Sequence, residues 1–108
     1  MNKWLVILSI FFSGVVYAQV EDLTSTQCLG NAALLANLYH SRSLNVDRNE
    51  FIPKDKHQQI LLDFAYSIFA LEFTVEDHYT SYISLCQMKR GNILEIERHM
   101  KNLMGIET

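Results

Sequence analysis

Two cysteines constrain this 108-residue chain more than any other feature: Cys28 and Cys86, the only ones it has. Each falls in an apolar stripe of helical spacing. Cys28, Ala32, Leu35 and Tyr39 stand at i, i+4, i+7 and i+11, and Val75, Tyr79, Tyr82 and Cys86 repeat those intervals. Residues on such a stripe face the core of a bundle. Two core-facing cysteines on two helices predict a disulfide between the first helix and the third. The loop it closes takes in nearly two thirds of residues 19–108. In the chain-entropy treatment a loop that long is worth about 4 kcal/mol, comparable to the whole stability of a small domain. A metal site or a redox pair calls for a C-x-x-C or a histidine at ligand spacing, and neither cysteine has one.

The bond needs an oxidising compartment, and the opening residues MNKWLVILSIFFSGVVYAQVED point to one. Lys3 is a positive lead, Trp4–Phe12 is an apolar run, and Val16 and Ala18 precede a cut after Ala18. This is the three-part pattern of a secretory signal peptide. The run is shorter than the ~20 apolar residues of a spanning helix. Residues 1–18 are therefore expected to be removed, leaving no membrane span, with the protein secreted into an oxidising compartment. Residues 19–108 are expected to form a single domain. Without Lys3, eight Lys and Arg stand against twelve Asp and Glu. That balance argues against nucleic acid or anionic lipid as partner and suits a basic protein partner.

The remaining pattern is helical. Thr24-x-x-Gln27 reads as a capping box ahead of the first helix, with Leu29, Leu34 and Leu38 widening its core face. The polar stretch SRSLNVDRNEFIP reads as a loop, with Pro53 near the start of a second helix. That helix is expected to bury Ile60, Leu61, Phe64, Ile68 and Leu71, and its broad apolar face marks it as central. Thr74 precedes Glu76 and Asp77 at the start of a third helix, and Gly91 is placed as the C′ glycine that ends it. Asn92 caps a fourth helix with the stripe Ile93, Ile96, Met100 and Leu103. The expected fold is all-α: a small bundle of about four helices stapled by Cys28–Cys86.

No enzyme signature is present, so no catalytic residue, metal ligand or cofactor is expected. There is no G-x-S-x-G, H-E-x-x-H, Walker loop or glycine-rich dinucleotide turn. His40, His57, His78 and His99 lie one per segment and read as surface or helix-end histidines. Two segments are candidates for binding. The junction LEFTVEDHYTSY mixes the acids Glu72, Glu76 and Asp77 with His78 and Tyr79, an interface-like blend. The 44–52 loop offers Asp47 and Glu50, and loops on a rigid scaffold often carry function.

A signal peptide, a helical domain of this size and two distant cysteines resemble the periplasmic immunity proteins that neutralise type VI secretion amidase effectors. In that family an aliphatic, a small residue, any residue and then Ala commonly follow the first cysteine, as in Cys28-Leu29-Gly30-Asn31-Ala32 here. A short polar break and a charged amphipathic helix follow the second, as in CQMKRGNILEIERHMKNL. The resemblance implies a protein, often a homodimer, that plugs the active-site cleft of a secreted peptidoglycan amidase with a loop or helix end. The 72–82 junction and the 44–52 loop are the expected plugs. Two other envelope roles compete with it: an acid-stress chaperone, and a structural or adaptor subunit of an envelope complex.

Overall fold

Each of the four described α-helices begins at a side-chain cap. A computed structural model describes residues 21–105; the expected signal peptide lies outside them. Four helices are described: α1 (Ser25–Ser43), α2 (Lys56–Ala65), α3 (Val75–Met88) and α4 (Ile93–Met104), with 3-10 turns at Arg48–Glu50 and Phe69–Glu72. There is no strand among the described residues, and the fold is all-α. Thr24 and Gln27 close the expected capping box, with reciprocal bonds of 3.2 and 2.9 Å. Thr74 and Asp77 close a second one at α3. Asn92 Oδ1 accepts the Glu95 amide at the head of α4.

The second helix starts later than Pro53. Asp55 takes the cap, its Oδ1 accepting the Gln58 amide at 2.8 Å, while Gln58 Oε1 accepts the Lys54 amide. A carboxylate cap satisfies orphan N–H groups, whereas proline at the first position merely tolerates their absence. Helix α2 is central, as its broad face implies: six of its ten residues are buried. It packs against α1 and α4, and α1 packs against α3.

The disulfide joins Cys28 of α1 to Cys86 of α3, with Cα atoms 6.1 Å apart. At the other end of this pair the Tyr39 and His78 rings meet at 4.3 Å. Helices α1 and α3 are therefore antiparallel. Arg42, near the end of α1, bonds the carbonyl of Ala65, at the end of α2, while His57, at the start of α2, shares a groove with Asn31. Helices α1 and α2 thus run the same way, and the 44–55 connection must return along them. The bundle's core gathers Ala32, Leu35, Leu61, Phe64, Tyr82, Leu85, Ile96 and Met100 around the two cysteines. Leu29 departs from expectation: it is exposed beside the disulfide.

The turn after α3 corrects one detail. The Arg90 amide bonds Gln87 O and the Gly91 amide bonds Cys86 O, the paired pattern of a Schellman motif. Arg90, not Gly91, is the C′ residue, at φ 55°. Gly91 follows at φ 75° and is needed for a second reason. Its carbonyl accepts the Leu23 amide at 2.7 Å, and a Cβ there would lie 2.3 Å from Leu23 O. Gly91→Ala is expected to cost about 2–3 kcal/mol, combining a left-handed Cβ penalty with a lost hydrogen bond. Arg90→Gly is expected to stay within about 0.5 kcal/mol of the parent. Urea titration of both variants checks the contrast.

Candidate functional site

The surface of interest forms where α2 stops short. Continued helix would carry Ile68 and Leu71 onto the core face with Phe64. Instead, Ser67 Oγ donates to Phe64 O at 2.7 Å, and Arg42 Nη1 donates to Ala65 O and Ser67 O at 3.0 and 2.6 Å. The Arg42 bonds satisfy the Ala65 and Ser67 carbonyls where the helix's own amides no longer reach. The chain then swings out through the Phe69–Glu72 turn. Ile68 is 84% exposed and Leu71 is 58% exposed. The expectation that both are core residues is therefore overturned.

Beneath the turn the packing is aromatic. Phe69 meets Phe64 and Phe73 at ring separations of 5.8 and 5.2 Å, and Ala70 is fully buried. His78 is also buried, which removes it from the candidate contact surface and corrects its reading as a surface histidine. Its Nε2–H donates to Ala70 O at 2.9 Å, and the rings of Tyr39, Phe64 and Phe73 surround it. Burial holds this imidazole below its ordinary range; the Ala70 bond and nearby Asp77 oppose that shift, and Arg42 adds to it.

Around the exposed turn stand the predicted acids. Glu72 and Glu76 are exposed, and neither has an ion-pair partner among the described residues. Asp77 is exposed as well, but its carboxylate accepts the Thr74 amide in the capping box. Tyr79 is half-buried against the core. From the 44–52 loop, Val46 O accepts the Tyr66 hydroxyl at 2.6 Å, which ties the loop to the same corner. Burial, and next the Asp47 carboxylate, raise the Tyr66 hydroxyl above its ordinary range. Asp47 itself caps the Arg48–Glu50 turn through the Asn49 amide. Glu50 is exposed on that turn, and no hydrogen bond or ion pair ties it to the corner. Arg48 pairs with Asp63 of α2, fixing the loop to the bundle.

The sequence reading missed a second polar feature, a buried relay that joins α2, α3 and α4. His57 of α2 donates from Nδ1 to Glu97 Oε2 of α4 at 2.9 Å, and its Nε2 meets the Tyr82 hydroxyl of α3 at 2.7 Å. Lys56 Nζ approaches Glu97 Oε1 at 3.8 Å. His57, Tyr82 and Glu97 are each at most 8% exposed, so His57 too is no surface histidine. Burial pushes the Tyr82 hydroxyl up to about 12, with Asn31 opposing and Glu97 reinforcing the shift, so it stays protonated. Both His57 nitrogens are engaged by protein groups. A signal was present: His57 precedes Ile60, Leu61 and Phe64 at core spacing, and Glu97 lies four residues after Ile93 and three before Met100.

Among the described residues, no three His, Cys, Asp or Glu side chains are grouped to hold a metal ion. None of the described helices is long and apolar enough to cross a membrane. Compared with known proteins, the chain matches no family, no curated protein and no solved structure.

Proposed function

We propose that this chain is a periplasmic immunity protein, which seats the Ile68–Glu72 turn in the active-site cleft of a peptidoglycan amidase delivered by type VI secretion. The observation that carries the proposal is the turn itself. Two exposed aliphatic side chains project from a tightly packed base, flanked by the unpaired carboxylates of Glu72 and Glu76. An apolar anchor with a charged rim is the usual anatomy of a protein-binding surface. The aromatic packing below and the disulfide across the bundle hold the turn in shape before binding, which reduces the ordering cost. The carboxylates would steer a partner whose cleft has a basic rim.

The first test is capture of partners by the oxidised protein, residues 19–108, from a lysate of its own organism. A stoichiometric cell-wall hydrolase whose activity falls on binding supports the proposal. Many unrelated clients, held only after acid treatment, would replace it with a chaperone, and an envelope complex would replace it with a structural role. With the hydrolase in hand, Ile68→Asp is expected to weaken binding by about tenfold or more. The same change should alter stability by no more than ~0.5 kcal/mol, because the side chain is already in water. Glu72→Lys with Glu76→Lys should slow association and reduce its salt dependence. Asp77 is spared in this test, since replacing it breaks the Thr74 cap. Unchanged affinity in both variants would remove the corner from the interface.

A further inference from the structure

We infer that His78 is an acid-released latch for the exposed turn: neutral, it pins Ala70 and the turn to α3, and protonated, it lets them go. The importance of this latch for binding rests on the function proposed above, but the latch itself does not. Its geometry is one-sided. Nε2 must carry the proton that bonds Ala70 O, so in the neutral ring Nδ1 is bare. A second proton places a donor on Nδ1, which has no hydrogen-bond partner among the described residues, and a charge in a pocket 2% open to water. A buried donor without a partner is costly, and more so when charged.

The groups facing this ring offset that cost only in part, and burial prevails. On α3, Asp77 favours the imidazolium, but its carboxylate is held in the Thr74 cap, and Tyr82 contributes only a neutral ring. From α1, Arg42 opposes a second positive charge, and Tyr39 supplies a ring. Helix α2 presents Phe64 and the turn presents Phe73, while the Ala70 carbonyl, still bonded by Nε2–H after protonation, favours the imidazolium but is outweighed by burial. From α4, His99 lines the same small cavity as His78.

Acid is relieved where the structure is weakest. Helix α3 is held along its length, whereas the turn has few bonds of its own: Leu71 N to Ile68 O, Phe73 N to Ala70 O, and Ala70 N to Ser67 Oγ. Segments held by few bonds open locally before the whole fold does. The direction follows from linkage. The folded His78 binds its proton less readily than the unfolded one. Its contribution to stability is therefore full above the ordinary value of 6.5 and is lost as pH falls below it.

The test is nuclear magnetic resonance of residues 19–108 between about pH 7.5 and pH 5, following the His78 ring and the amides of residues 69–73. Protection of the Leu71 and Phe73 amides, corrected for intrinsic exchange, is expected to fall at least about tenfold, starting below pH 6.5 and levelling off once the folded ring is protonated. His78→Gln keeps an amide donor for Ala70 O without titrating, and should hold its protection across the range. Three results would overturn the latch: turn amides unchanged while the ring protonates, an equal loss in His78→Gln, or a loss that coincides with global unfolding by circular dichroism. Should the latch hold while Ile68→Asp leaves hydrolase binding intact, the binding proposal fails and the latch stands.

Discussion

Removing the Cys28–Cys86 bond, by reduction or by Cys28→Ala with Cys86→Ala, is expected to lower stability by about 4 kcal/mol. The two residues lie 58 apart in sequence, so the bond closes a long loop in the unfolded chain. Loop entropy grows only slowly with length, but at this separation it is already most of what one crosslink can give. A domain of this size has a total of only about 5–10 kcal/mol to lose. The melting temperature should drop by roughly 15–30 °C, read by calorimetry on oxidised and cysteine-free protein. Cys86 is 1% exposed and packs in the core, so alanine at that site adds a small cavity cost in the same direction. A loss below ~1 kcal/mol would contradict the entropy argument, and would mean that the unfolded chain keeps α1 and α3 paired. The bond also bears on the proposed surface. It fixes the end of the α1–α3 pair opposite His78, so without it that end loses its covalent tie.

What was legible in the sequence follows one rule: local signals held, and signals that depend on the rest of the molecule did not. Thr24, Thr74 and Asn92 cap helices as their spacing implies, because a cap is made within three residues. The cysteine stripes were legible because both lie on regular helices. The end of α2 was not. Its periodicity runs on through Ile68 and Leu71, and what stops it is Arg42, more than twenty residues upstream, donating to two carbonyls. The candidate anchor was thus hidden inside an apparent core stripe. His57 and His78 failed for a related reason. Histidine suits surface and core alike, and only the partners Glu97, Tyr82 and Ala70, each brought in by folding, decide between them. The exposure of Glu72, Glu76 and Asp77 was legible because an acid beside a helix start is exposed by default.

The buried relay predicts the second large effect. His57→Leu should cost about 3–5 kcal/mol, because it strands the Glu97 carboxylate, 4% exposed, with only the Lys56 ammonium at 3.8 Å. The loss is not the worth of the His57–Glu97 contact; it is mainly the penalty for an uncompensated buried charge. Removing the polarity altogether should therefore restore most of it. A triple variant, His57→Leu with Glu97→Met and Tyr82→Phe, replaces every polar atom of the central relay by apolar ones of similar size. Such replacements are often neutral or stabilising, so the triple variant is expected within ~1.5 kcal/mol of the parent. Denaturant titration of the single, double and triple variants measures the coupling, which is strongly non-additive if the relay acts as a unit. A single variant that loses under ~1 kcal/mol, or a triple variant no better than the single, would show that the relay is not the unit drawn here. The comparison also separates stability from register. The relay joins α2 to α3 and α4 through directional bonds, whereas apolar side chains can slide. If the triple variant is stable but its amide spectrum is broadened, the relay's contribution is to hold the frame from which the Ile68–Glu72 turn projects, and hydrolase binding should weaken with it.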